Sequence, residues 1–257
     1  MSENQSYKNL STIKVLNLIE LLADANKPMR LMDIAKGLSA NPSTTLRFLS
    51  ALIESGYAAQ EPETSRYYLT FKICSIANKI SSNVNLRDIA HPYLTRVSSE
   101  FGESVCLAVE NDMRVVYIDV VEGPDQMLRS MQRIGSIAPL HCTGIGKLFL
   151  LNYDAQKIDD YIINKGMSRF THNTIQTKEH LLREIDSVRE KGHAFDNEEC
   201  EIGARCVAFP IYGKKGNVAA GISVTGPISR LSDSFVQEKL PVIRAAAESI
   251  SSIYSSL

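Results

Sequence analysis

The 257-residue chain has no tryptophan, no CxxC pair and no long apolar run. Without a stretch of about 18–20 apolar residues, no membrane-spanning helix is expected. The opening MSENQSYKNL is polar and carries no apolar signal core, so the chain is expected in the cytoplasm. Its five cysteines, Cys74, Cys106, Cys142, Cys200 and Cys206, are odd in number and scattered. Such a set fits reduced thiols better than a disulfide framework. An excess of charge is missing too: 28 Lys and Arg against 29 Asp and Glu leave −1, so bulk charge selects no partner. What is present is ordinary. Hydrophobic residues at 44% and charged residues at 22% exclude wholesale disorder and fibrous repeats. No internal repeat or low-complexity segment is seen, and the length allows one large domain or two small ones.

The first 80 residues hold nine Lys/Arg and seven Asp/Glu, the rest nineteen and twenty-two. A mildly basic head on a mildly acidic body permits nucleic-acid contact by the head without demanding it.

The head reads as three helices and a hairpin. Val15, Leu18, Ile19 and Leu22 make one apolar helical face, and Leu31, Ile34, Ala35 and Leu38 repeat it over a shorter helix. Asn41-Pro42 looks like a cap followed by proline at the first helical position, opening a third helix over Ser43–Glu54 that Gly56 ends. Two strand-like runs, Tyr57–Gln60 and Arg66–Leu69, flank a polar turn. This is the pattern of a winged helix-turn-helix. The expected organisation is a DNA-binding head over 1–70, a helical linker over 71–85 and a second domain over 86–257.

In that body, helices are expected at Leu86–Phe101, Thr143–Leu151, Ala155–Asn164, Lys178–Lys191 and Asp233–Ser251. Strands are expected at Ser104–Val109, Val115–Val121, Met127–Gln132, Cys206–Tyr212 and Val218–Thr225. Hairpin connections between successive strands predict an antiparallel sheet flanked by helices, so the whole chain is read as a two-domain α+β protein.

A recognition helix presents its N-terminal residues to base edges and phosphates. Here these are Ser43, Thr44 and Thr45, with Arg47 one turn on; Arg66 sits at the tip of the wing. The competing reading is a module for protein contacts, with the hydroxyls merely capping the helix.

Several segments, in order, carry a resemblance: Ser11–Glu20 (STIKVLNLIE), Leu31–Leu38 (LMDIAKGL), Ser43–Leu49 (STTLRFL) and Gly56-Tyr57 in the head. In the body they are Gly102-Glu103-Ser104, Pro139–Lys147 (PLHCTGIGK), Glu198–Pro210 (EECEIGARCVAFP) and Ser223–Pro227 (SVTGP). Over nearly its whole length the chain resembles the IclR family of bacterial transcription regulators. The resemblance implies a GAF-like effector-binding domain, double-stranded operator DNA as partner, dimers formed through the head and often tetramers, hence a homodimer or homotetramer. Arg30 departs from the family, which often has Thr or Ser there as a helix cap.

Within Pro139–Lys147 a glycine-bearing turn opens a helix, and the free amides of Gly144 and Ile145 suit a carboxylate. By resemblance these amides match the family's ligand-binding positions, as do Asp196, Cys206, Ser223 and Thr225. Met127, Ser130 and Ala138 match wall positions. Ser130 and Ala138 are small, which points to a roomy, wet pocket for a sugar acid or hydroxy acid, with no cofactor. The function expected is repression of a catabolic operon, released or reinforced by such an acid.

Plainer readings stand beside these. Gly144 and Gly146 serve tight packing equally well, Ser223 and Thr225 are acceptable as ordinary strand residues, and Cys206 as a buried small hydrophobe. Two other classes remain open: a metal-responsive regulator using His141, Cys142 and Cys206, and an enzyme pairing Cys206 with His193 or His141 and Asp196.

Overall fold

The computed structural model describes residues 10–81, 86–123 and 132–256. The chain divides into two compact units, Met1–Asn83 and Val84–Leu257.

The first unit comprises helices α1 (Leu10–Asp24), α2 (Leu31–Gly37) and α3 (Pro42–Glu54), the hairpin β1 (Ala58–Gln60) and β2 (Tyr67–Leu69), and helix α4 (Lys72–Ser81). Its core gathers Leu18 and Leu22, Ile34, Leu49 and Leu52, and Ala58 and Tyr67 of the hairpin. Pro42 stands at the start of α3, where its missing N–H costs nothing. The Asn41 side chain makes no capping bond there; the Thr45 hydroxyl instead donates to the Asn41 carbonyl. Gly56 takes a φ of +76° just past α3, the left-handed turn that stops a helix cheaply only in glycine. Arg30 precedes α2 without capping it.

The second unit opens with α5 (Leu86–Phe101), which runs through Pro92 without a break, and continues with β3 (Ser104–Asn111), β4 (Arg114–Val121) and the short β5 (Ile137–Ala138). Helix α6 (Gly144–Phe149) passes into a 3-10 turn at Leu150–Asn152. Next come α7 (Ala155–Lys165), α8 (Lys178–Lys191), β6 (Ala194–Asn197), β7 (Ala204–Tyr212), β8 (Val218–Pro227) and α9 (Asp233–Ser256). The strands form one antiparallel sheet in the order β5-β4-β3-β8-β7-β6. Two of these strands, β5 and β6, were not expected. The run expected as a strand at Met127–Gln132 lies outside the described residues apart from Gln132, which is not in a strand.

Successive residues of a strand face opposite sides, so each central strand feeds two cores. Val105, Leu107, Val207, Phe209, Ile222 and Val224 pack with α5 and α9 on one face. Cys106, Ala108, Val115, Ala194 and Ala208 face the other way, against residues of α6, α7 and α8 such as Ile145, Leu148, Tyr161, Leu181 and Ile185. That second face carries the cavity described next. Among the described residues, no helix is long and apolar enough to cross a membrane.

Candidate functional site

In the first unit, Ser43 and Arg47 are exposed on α3 and Thr44 is half-buried. Thr45 departs from expectation: it is fully buried, with its hydroxyl held by the Asn41 carbonyl at 3.1 Å. It belongs to the core and to the helix start, and has no face toward a base edge. Arg66 is half-buried at the end of the hairpin turn, where its carbonyl accepts from the Glu61 amide. Ser65 beside it holds a left-handed backbone, φ +55°.

In the second unit, a cavity of about 580 Å³ opens between the α6 face of the sheet and the β6–β7 loop. Ala138, Gly144, Ile145, Asp196, Cys206, Ser223 and Thr225 all line it. The strand register explains the convergence. Ser104 pairs with Thr225, Thr225 with Cys206, and Cys206 with Asp196, so one row of side chains crosses four strands on one face. A second row sets Cys106 beside Ser223 and Ser223 beside Ala208. Met127 and Ser130 lie outside the described residues.

Helix α6 enters this cavity at its first turn. Thr143 caps it, its hydroxyl accepting from the Gly146 amide at 3.1 Å. The amides of Gly144 and Ile145, which precede the first intrahelical bond, have no hydrogen-bond partner among the described residues. Gly146 answers the packing reading: a Cβ there would lie 2.5 Å from the Leu140 backbone.

Asp196 is buried, and its Oδ1 accepts from the amides of Glu199 (2.8 Å) and Cys200 (3.4 Å). Burial pushes its carboxyl up to about 6, against those amides and the Lys147 charge. The Thr225 hydroxyl oxygen is buried with no hydrogen-bond partner among the described residues. Burial pushes the Cys206 thiol up to about 12, although the Thr225 and Ser223 hydroxyls beside it pull the other way. This is an inert thiol rather than a nucleophile.

Sequence reasoning missed Tyr117, Gln132, Phe170, Cys200 and Glu201, which also line the cavity. It also missed Lys147, which is fully buried on α6. Its Nζ donates to Glu199 (2.6 Å), Glu184 (3.0 Å) and the Phe195 carbonyl (2.7 Å). It therefore ties α6 to the strand and loop forming the opposite wall. A lysine among Ile145, Leu148 and Phe149 was the available signal. Burial pushes the Glu199 carboxyl up to about 7 despite Lys147.

The catalytic and metal readings fare differently from the cavity. His141 has both ring nitrogens occupied, by the Tyr161 hydroxyl at 2.8 Å and the Ser168 carbonyl at 3.1 Å. His193 stacks on Phe209 and bonds the Lys191 carbonyl. Neither histidine reaches Cys206 as a base. Among the described residues, no group of three or more His, Cys, Asp or Glu side chains is arranged to hold a metal ion.

A helix-turn-helix unit in one chain with a cavity-bearing sheet unit defines a DNA-binding transcription regulator with a ligand-binding domain. The family model "IclR helix-turn-helix domain" matches residues 11–62, and "Bacterial transcriptional regulator IclR C-terminal" matches 78–252. The chain belongs to the IclR family, whose members are transcription regulators and not enzymes. It is 32% identical over 94% of its length to the HTH-type transcriptional regulator KdgR of Dickeya chrysanthemi, covering 78% of that protein. It is 30% identical over 95% of its length to the acetate operon repressor of Salmonella typhimurium, covering 89% of it. The crystal structure of Thermotoga maritima IclR superposes with a TM-score of 0.82 at 28% identity, over 95% of this chain and 98% of that one.

Proposed function

We propose that the chain is a repressor of a catabolic operon whose operator affinity is set by a small organic acid, of the sugar-acid or hydroxy-acid class, held in this cavity. One observation carries the reading. Two unpartnered amides at the start of α6 and the polar row of Asp196, Ser223 and Thr225 line the same cavity. No lysine or arginine is on the described wall, so the Gly144 and Ile145 amides and the helix dipole are the natural partners of a carboxylate. Asp196 keeps Oδ2 for a ligand hydroxyl, and Thr225 offers its unpartnered hydroxyl. Asp196 and Glu201 repel a second carboxylate at that end, so the ligand's hydroxyls turn toward them. Ala138 keeps the wall shallow, and Cys206 supplies a small inert surface.

On the head, Ser43, Thr44, Arg47 and Arg66 contact operator DNA. Thr45 positions the recognition helix from beneath. The exposed stripe Leu10, Ile13 and Leu16 on α1 supports pairing of heads in a homodimer, or two such pairs in a homotetramer. The acid then acts by linkage. It shifts operator affinity by its differential affinity for the two placements of the heads.

Calorimetry with sugar acids and two- or three-carbon keto acids tests the ligand class. Binding of a hydroxylated acid, abolished in Asp196→Ala while DNA binding persists, supports the reading. Binding of compact keto acids alone overturns it.

A further inference from the structure

Cys142 and Cys200 stand 58 positions apart in sequence, yet their sulfurs lie 3.4 Å from each other. Cys142 is buried directly before Thr143, the cap of α6. Cys200 is half-exposed on the cavity wall, in the loop between β6 and β7, and its amide donates to Asp196. The other cysteines are placed differently. Cys106 is buried and donates to the Gln132 side-chain oxygen, Cys206 is buried beside two hydroxyls, and Cys74 is exposed in the first unit. A disulfide needs its sulfurs about 2.05 Å apart. From 3.4 Å, the two sulfurs must approach by about 1.3 Å to bond.

We propose that Cys142 and Cys200 are a redox pair, closed to a disulfide by a hydroperoxide, that locks the β6–β7 loop to the start of α6. Cys200 is the sulfur an oxidant reaches first, through the cavity. Its thiolate attacks the peroxide oxygen, the O–O bond breaks, and Cys200 becomes a sulfenic acid as hydroxide leaves. The Cys142 sulfur then attacks the Cys200 sulfur and displaces water, its proton leaving with the departing oxygen. Two thiols are oxidised by two electrons in all, and one hydrogen peroxide is reduced to two waters. The second step is fast because the partner is already in contact. The bond itself is independent of what the cavity binds; its effect on operator control rests on the cavity being the effector site.

The full-length protein is titrated with hydrogen peroxide, quenched with N-ethylmaleimide and mapped by mass spectrometry without reduction. The expected result is one linked peptide pair joining Cys142 to Cys200, with loss of two alkylatable thiols and their return on adding dithiothreitol. Hydrogen exchange of residues 197–203 slows on oxidation in the wild type and not in Cys200→Ser. In Cys142→Ser, or Cys142→Ala should the serine misfold, Cys200 stays as a sulfenic acid that dimedone captures. Over-oxidation of Cys200 with Cys142 still alkylatable overturns the proposal. So does bridging confined to Cys74, or an unchanged pair at peroxide levels that consume Cys74.

Discussion

Replacing Gly146 with alanine sets two effects of opposite sign against each other. Alanine is favoured over glycine in a helix interior by about 0.5–1 kcal/mol. The site refuses it. The added Cβ would fall 2.4 Å from the Thr143 hydroxyl and 2.5 Å from both Cα and O of Leu140. Leu140 is fully buried, and its amide is held by the Tyr161 hydroxyl at 3.2 Å, so the backbone there has little freedom to retreat. Overpacking of this kind costs about 1–3 kcal/mol. Displacing Thr143 also spoils the cap of α6, worth about 1 kcal/mol. The net expectation is destabilisation of the second unit by about 1–3 kcal/mol, or roughly 2–4 °C in Tm for each kcal/mol in a unit of this size. Urea unfolding that follows the second unit measures it, with the midpoint lowered and the m-value unchanged. The same displacement moves the Gly144 and Ile145 amides, so acid binding weakens along with stability. A midpoint equal to or above that of the wild type refutes the packing argument.

Other consequences follow from individual residues. Arg47→Ala should weaken operator binding and reduce the slope of log affinity against log salt by about one, as removal of a phosphate contact does. Thr45→Ala should leave that slope intact and lower the stability of the first unit by up to about 1 kcal/mol, the worth of its buried hydrogen bond. A salt slope changed by Thr45→Ala and untouched by Arg47→Ala would reverse the assignment. Asp196 has a folded-state value of about 6 against an ordinary 3.8. Its contribution to stability is therefore fully present below 3.8 and lost as pH rises through 6, on the order of 3 kcal/mol in total. Asp196→Asn should remove this part of the pH dependence in thermal unfolding, leaving the similar trend from Glu199. For a ligand hydroxyl the ionised Asp196 is the acceptor, so acid affinity should strengthen between pH 5 and pH 7; a flat profile by calorimetry would exclude Asp196 as ligand partner.

The elements read best from sequence are those whose signals are local. Helix α8 spans Lys178–Lys191 as expected because Thr177 caps it and Gly192 takes the left-handed turn that ends it. Helix α5 also has its expected bounds, its buried positions at helical spacing. Strands β5 and β6 escaped notice because two and four residues carry no period; they exist by pairing with β4 and β7. Seven of the expected effector residues line one cavity. The resemblance had named them, and the register of β3, β8, β7 and β6 explains why they meet. Thr45 misled because a hydroxyl near a helix start suits both DNA and the helix's own carbonyl; only tertiary burial distinguishes the two. Cys200 and Glu201 were missed since they lie on an irregular loop, shaped by positive φ at Glu198 and Gly203, where no spacing rule applies.

The most direct test of the account is a gel shift with the full-length protein on the DNA immediately upstream of its own gene and its neighbours. It is run with and without a panel of small carboxylic acids. A specific shift that a hydroxylated acid releases or strengthens in the wild type, and that Asp196→Ala retains without the response, is the predicted result. A specific shift indifferent to every acid that occupies the cavity, or no specific shift while an acid still stabilises the protein thermally, would contradict the link between the cavity and the DNA-binding head.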